Sequence, residues 1–152
     1  YFDRADGNGN LVRGKVTQPN GVVLQGKFDY RGSNRLIKGQ SKNTDGWIQD
    51  GIFDYQNSGR LIEGKQKGPD GSVYEGEFDY LGNGMLMRGT RSTPDGRVEN
   101  GEFDYQGHGL LKSGTVTMSD GTIYMGDFDY EGRGLLMRGK RTWSNGMVET
   151  GE

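Results

Sequence analysis

The sequence predicts an all-β protein in which tandem β-hairpin repeats form one elongated, twisted antiparallel meander sheet. Three observations predict it. The motif Phe-Asp-Tyr begins at residues 28, 53, 78, 103 and 128, a period of 25. An Asx-Gly step, the strongest short-range hairpin signal, recurs once per period. No glycine-free stretch exceeds seven residues, whereas a stable helix needs about ten or more good formers in a row.

Aligned on phenylalanine, residues 2–152 form a single repeat domain of six units: 2–27, 28–52, 53–77, 78–102, 103–127 and 128–152. Of the 29 glycines, all but Gly68 occupy five columns of the repeat. The first strand of each hairpin ends on phenylalanine. In Tyr74-Glu-Gly-Glu-Phe78 the residues Tyr74, Gly76 and Phe78 share one face, and Glu75 and Glu77 share the other. Asp-Tyr-x-Gly follows, with Asp first and Gly fourth, as a type I turn prefers, except in unit 53–77, where Asn57 holds the fourth place. The second strand opens on leucine and runs to the Asx-Gly step, where a type I′ turn with two residues at positive φ is expected.

Because 25 is odd while strand side chains alternate with period two, one connection per unit must be odd or bulged if every phenylalanine is to share a face. The Gly-x-Gly after the Asp-Tyr turn is the expected place, since glycine adopts left-handed conformations freely. Two strands per unit give about twelve strands and a rod about 55 Å long at the usual strand spacing of about 4.8 Å. Its expected structural seam is Phe28, Phe53, Phe78, Phe103 and Phe128 with Leu36, Leu61, Leu86, Leu111 and Leu136.

The same residues carry a family resemblance. Tyr-Glu-Gly-Glu-Phe at 74–78 and Tyr-Met-Gly-Asp-Phe at 124–128, each preceded by Asp-Gly and two residues, resemble the core of the MORN (membrane occupation and recognition nexus) repeat. Leu24, Gln49, Glu99 and Glu149 stand where those two units have tyrosine, and the 25-residue unit is a longer variant. The resemblance implies a sheet of successive hairpins used for scaffolding, protein association, dimerisation or contact with membrane lipids.

Composition narrows the function classes. Only 30% of residues are hydrophobic, so burial has to be thin and repeated. No cysteine is present, which excludes disulfides, thiolate metal sites and cysteine nucleophiles. A net charge of −2 argues against nucleic acid as a partner. No apolar run has the length of a membrane span or a signal-peptide core, so a soluble segment is expected, with the compartment left open.

No catalytic residues, cofactor or metal are assigned. His108, the single histidine, sits in a Gly-His-Gly turn with no nucleophile or acid tied to it by a motif. The Asp of each Phe-Asp-Tyr is explained as a turn residue, and successive copies, two strands apart, lie about 9.6 Å from each other, too far to share one ion. Residues 3–10, Asp-Arg-Ala-Asp-Gly-Asn-Gly-Asn, lack the glycine position and closing glutamate of a calcium loop.

Three surface features remain. Tyr30, Tyr55, Tyr80, Tyr105 and Tyr130 fall at the tips of successive turns, where they either form a stacking row for carbohydrate or peptide or fold back over leucine. Arg88, Arg91, Arg138, Lys140 and Arg141 form the densest basic patch, a candidate for lipid headgroups. Acids such as Asp29, Asp54, Glu75, Glu77, Glu99, Glu102, Asp127 and Glu149 fall on the phenylalanine strand. Arg13, Lys15, Lys38, Lys65, Arg88, Arg91, Arg138 and Arg141 fall on the leucine strand, so cross-strand ion pairs are expected. A weaker rhythm of 50 residues, with Leu24, Tyr74 and Tyr124 alternating with Gln49, Glu99 and Glu149, is explained either by duplication of a two-unit ancestor or by odd and even hairpins that face different surroundings.

These features together point to a non-enzymatic scaffold for a protein partner or for copies of itself. Val-Glu-Thr-Gly-Glu at 148–152 followed by Tyr-Phe-Asp-Arg at 1–4 would read almost like the internal Val-Glu-Asn-Gly-Glu-Phe-Asp-Tyr at 98–105. The alternatives are a carbohydrate-binding surface module built on the tyrosine row and a peripheral phospholipid binder.

Overall fold

A computed structural model describes residues 2–5, 11–29 and 35–151. Its strands are β1 (Phe2–Ala5), β2 (Leu11–Thr17), β3 (Val23–Phe28), β4 (Leu36–Lys42), β5 (Ile48–Phe53), β6 (Leu61–Lys67), β7 (Val73–Phe78), β8 (Leu86–Ser92), β9 (Val98–Phe103), β10 (Leu111–Thr117), β11 (Ile123–Phe128), β12 (Leu136–Thr142) and β13 (Val148–Gly151). They form one thirteen-stranded antiparallel sheet in sequence order, and the described residues contain no helix. From β3 to β12, odd strands end on phenylalanine and even strands open on leucine.

A column of glycines crosses the sheet from Gly14 to Gly151, each facing the next in register. Gly26, Gly39, Gly51, Gly64, Gly76, Gly89, Gly101, Gly114, Gly126 and Gly139 all have φ between 135° and 152°, a conformation that residues with a Cβ rarely adopt. A methyl group on Gly76 would overlap the carbonyl oxygen of Arg88, and one on Gly89 would overlap that of Glu75. The strand pairs therefore close to a distance that only hydrogen at Cα permits.

Phenylalanine and leucine flank this column on the same face, here called the inner face. Phe28, Phe53, Phe78, Phe103 and Phe128 and Leu36, Leu61, Leu86 and Leu111 are all buried, and each phenylalanine faces a leucine in register, as in Phe78 with Leu86. Leu136, at the end of the seam, is only half-buried. Val16, Leu24, Tyr74, Met118 and Tyr124 pack against this seam. Burying it removes apolar surface from water at about 25 cal/mol per Å2, which offsets the ordering entropy of a single-layer sheet.

The expected irregularity is present in each described unit, but elsewhere than at Gly-x-Gly. Glu77 faces Arg88 while Phe78 faces Leu86, so Met87 bulges out of the ladder. Ile37, Ile62, Lys112 and Met137 do the same. β1 departs from the others, with Ala5 rather than Phe2 facing Leu11.

The Asx-Gly turn also differs from the expected type I′. Gly71 N–H donates to the Gly68 carbonyl (3.1 Å) and Gly68 N–H to the Ser72 carbonyl (2.9 Å), so Asp70 is third and Gly71 fourth in a type I turn followed by a glycine bulge. Gly71 alone carries the positive φ, 95°. The aspartate adds a bond of its own: Asp70 Oδ1 accepts from Ser72 N–H at 2.8 Å, as Asp120 does from Thr122 and Asn145 from Met147. This local closure outweighs the I′ preference.

The longer loop is anchored by its aspartate as expected. Gly82 N–H donates to the Asp79 carbonyl (3.2 Å), Asp79 N–H donates to the Met85 carbonyl (2.8 Å), and Asp79 Oδ2 accepts from Asn83 N–H (3.2 Å). A Cβ at Gly82 would overlap that carboxylate, which explains the glycine. Neighbouring units then stack loop on loop: Met85 lies against Gly109 and Leu110 against Gly134.

Two outcomes follow for stability. Gly76→Ala should cost about 3 kcal/mol or more, because backbone atoms occupy the methyl position, whereas Gly59→Ala, in an open left-handed turn at φ 73°, should cost about 1–2 kcal/mol; urea melts of both variants check the contrast. The carboxyls of Asp70 and Asp120, held by the backbone N–H and hydroxyl of Ser72 and of Thr122, and that of Asp95, held by the Thr93 hydroxyl and then by Arg97 N–H, lie below their ordinary value of 3.8. Their contribution is present above about pH 4 and is lost as pH falls through the lowered folded-state values. Replacing all three by asparagine, the residue already at positions 20 and 145, should flatten the acid limb of the urea midpoint between pH 5 and pH 2.5.

Candidate interaction surfaces

The sheet offers three surfaces: two rows on the inner face, the whole outer face, and the loop edge that carries the tyrosines.

On the inner face a second row lies across the glycine column from the seam. In register it reads Val16, Leu24, Ser41, Gln49, Gln66, Tyr74, Arg91, Glu99, Val116, Tyr124, Arg141, Glu149. The 50-residue rhythm is explained here, since apolar or aromatic hairpins alternate with polar or charged ones. Glu99 is 4% exposed and is held by Arg91, whose Nη2 lies 2.6 Å from Oε1, and by Arg97 at 3.5 Å. Arg91 also donates to the Gly109 carbonyl at 2.9 Å and lies over the Phe103 ring at 5.0 Å. Its guanidinium therefore crosses the bare glycine strip and covers the seam. Gln49 and Gln66, in the same columns, bond at 2.9 Å, and Trp47 stacks on Tyr74 at 6.3 Å.

The five basic residues do not converge. Arg91 and Arg141 lie on the inner face, Arg141 against Glu149 (3.3 Å) and the Trp143 ring (4.1 Å). Arg88, Arg138 and Lys140 lie on the outer face, and Arg88 meets Glu77 at 3.3 Å. Cross-strand pairing of unlike charges holds in part. Lys65 faces Glu75 and Asp127 faces Arg138, but Glu63 faces Glu77 and Lys27 faces Lys38. Asp29 and Asp54 lie beyond the strand ends, where Asp54 accepts from the Ser58 N–H and hydroxyl, both at 3.0 Å.

Tyr30 lies outside the described residues. Tyr55, Tyr80, Tyr105 and Tyr130 are half-buried beside the seam phenylalanines, and each donates its N–H to the carbonyl two residues back at 2.9 Å. The Tyr130 ring sits under the ammonium of Lys112, the bulge residue of the preceding unit, at 5.2 Å. A hollow of about 380 Å3 beside it is lined by Glu102, Lys112, Asp127, Tyr130 and Arg138. His108 is exposed, and its backbone N–H donates to Asp104.

The bulge residues and the sharing of Glu99 between Arg91 and Arg97 are what sequence reasoning missed, whereas the Arg91–Glu99 contact itself is one of the expected cross-strand ion pairs. Arginine and glutamate coincide in these two columns in two units, at Arg91 with Glu99 and at Arg141 with Glu149, where the other units hold Val, Ser, Gln, Leu or Tyr. Among the described residues, no group of three or more His, Cys, Asp or Glu side chains is placed to hold a metal ion. No protein-family profile and no curated protein matches the chain.

Glu99→Gln should destabilise the sheet by about 3 kcal/mol, because it leaves the partly buried Arg91 without its counter-charge. Adding Arg91→Gln should recover most of the loss, because two facing amides on β8 and β9 can bond to each other as Gln49 and Gln66 do on β5 and β6; a double-mutant cycle from chemical denaturation reads both.

Proposed function

We propose that the chain is a non-enzymatic MORN-like repeat scaffold whose outer sheet face associates with a protein partner. The observation that carries this reading is the division of labour between the two faces. The buried aromatic and aliphatic side chains lie on the inner face, while the outer face repeats the same columns every two strands, about 9.6 Å apart. Val23, Ile48, Val73, Val98 and Ile123 form a half-buried apolar row there, set against Lys42, Lys67, Ser92, Thr117 and Thr142. Ile52 and Met125 stand out on the same face at 37% and 51% exposure. Apolar groups at a fixed spacing among charges suit a partner with a matching repeat or extended strand.

A second reading, a carbohydrate-binding module, draws on the hollow beside Tyr130, where an aromatic ring and charged side chains share one recess.

Proximity labelling with the wild-type chain, an I52E/M125E variant and a Y80A/Y105A/Y130A variant separates the two. The scaffold reading expects the labelled proteins to be lost with I52E/M125E and kept with Y80A/Y105A/Y130A. Loss with Y80A/Y105A/Y130A alone, together with binding of the wild-type chain on a glycan array, overturns it in favour of the second reading.

A further inference from the structure

We infer that the outer face of β2–β7 is a self-complementary contact, through which two copies of this chain stack face to face about a two-fold axis running parallel to the strands between β4 and β5. This rests on the association reading above and deepens it, naming a second copy as the partner and six interior strands as the patch.

Each of these strands has a hydrogen-bonded neighbour on both sides. In register, one outer column across them reads Arg13, Lys27, Lys38, Ile52, Glu63, Glu77, and the next reads Lys15, Gln25, Gln40, Asp50, Lys65, Glu75. The first column changes sign once, between β4 and β6. In the second, the carboxylates likewise lie beyond β4. Within one sheet this segregation is unfavourable, because Lys27 faces Lys38 and Glu63 faces Glu77 directly. Lys15, Lys27, Lys38, Glu63 and Glu75 are exposed, and among the described residues none of them makes an ion pair. Exchanging one lysine for one glutamate would give ordinary cross-strand pairs, so the sheet's own stability does not account for the pattern.

A second copy does account for it. Turning a copy over about an axis parallel to the strands keeps each column above itself and reverses the strand order. With the axis between β4 and β5, β2 lies over the partner's β7, β3 over its β6 and β4 over its β5. Lys27 then meets the partner's Glu63, Lys15 meets its Glu75, and Arg13 meets its Glu77, of which one oxygen already holds Arg88 at 3.3 Å. The stem of Lys38 lies over Ile52, which is 37% exposed, and Gln40 reaches Asp50. Each contact occurs twice, as an isologous interface requires, and these two columns oppose no like charges.

The charges also select the position of the axis. Moving it onto β4 would set Lys38 on Lys38, and moving it onto β5 would set Asp50 on Asp50. Aligned sheets stack about 10 Å apart at about 30° to each other, a gap that a lysine and a glutamate span together. A hollow of about 420 Å3, floored by Gly51, Gly64 and Gly76 and flanked by Glu63, Glu75 and Glu77, lies where the partner's Lys27 and Lys15 arrive. Exposed ion pairs are individually weak, so the expected dissociation constant is on the order of tens of micromolar and rises with salt.

Sedimentation of the 152-residue chain at low ionic strength, from about 1 µM to about 1 mM, should show a monomer of 16.8 kDa passing to twice that mass and no further. Sodium chloride at about 0.5 M should weaken the dimer about tenfold or more. K27E alone and E63K alone should do the same, since symmetry makes each like-charge contact twice. Each variant relieves a like-charge pair within its own sheet, against Lys38 or Glu77, so neither should lower the urea midpoint. An equimolar mixture of K27E and E63K should recover the wild-type affinity, because every reversed charge then meets an opposite one across the axis. A monomer at every concentration, species beyond the dimer, a dimer indifferent to salt and to both reversals, or a mixture no tighter than its components overturns the inference. So does a monomeric chain that floats with phosphatidylserine vesicles and loses them with K27E, which assigns the cations to a lipid surface. Sedimentation uses the purified chain alone, so loss of partner labelling with I52E/M125E is a separate result and supports the association reading whether or not the chain dimerises.

Discussion

The whole sheet depends on the close approach of paired glycines. At Gly76 and Gly89, as at the four equivalent pairs, the neighbouring strand's carbonyl lies where a Cβ would have to be. The consequence is more than a steric one. The glycine column leaves a strip without side chains along the inner face, between the phenylalanine and leucine seam and the row that holds Tyr74, Arg91 and Glu99. Side chains from that second row can lean across the strip, and Arg91 does so, reaching both the Phe103 ring and the Gly109 carbonyl. A single-layer sheet lacks an opposing layer to cover its apolar face; here part of the cover comes from the sheet's own neighbouring row.

Constancy of facing depends on the bulge. An odd repeat would turn successive phenylalanines to opposite faces, and the extra residue after each leucine restores the parity once per unit. The bulged residue, Met87 or Lys112 for example, is thereby freed from the ladder. At Lys112 the freed side chain places its ammonium over the next unit's Tyr130. The element that corrects the parity is therefore also one of those that join unit to unit.

Period, fold class and seam were legible in the sequence because they rest on single residues in fixed columns: Phe78, Leu86, Gly76 and Asp79 each have one structural duty, repeated in other units. What was not legible involves competition between two local solutions. Asp70-Gly71 permits a type I′ turn, but the carboxylate's bond to Ser72 N–H and the bond from Gly71 to Gly68 settle it as a type I turn with a glycine bulge. The bulge at Met87 is not announced by any residue type, since Ile, Met and Lys all occupy that position. The basic patch looked continuous because Arg138, Lys140 and Arg141 are adjacent in the chain, yet alternation along β12 places Arg138 and Lys140 opposite to Arg141. The tyrosines fell at the turns as read, but the ammonium of Lys112 over the Tyr130 ring comes from the preceding unit, which a pattern within one unit does not reveal.

The distribution of charge then bears on where association can occur. On the inner face the row beside the seam neutralises itself: Glu99 is shared by Arg91 and Arg97, Glu149 is met by Arg141, and Gln49 and Gln66 satisfy each other. A partner approaching that row would have to displace bonds already made, at the cost of leaving a buried charge unpaired. The outer face imposes less of that cost, since its Arg88–Glu77 pair is exposed to water. Its like-charge neighbours, Glu63 with Glu77 and Lys27 with Lys38, are mutual repulsions that an incoming opposite charge would relieve rather than create. Electrostatics and packing thus agree that the inner face is the one that holds the sheet together.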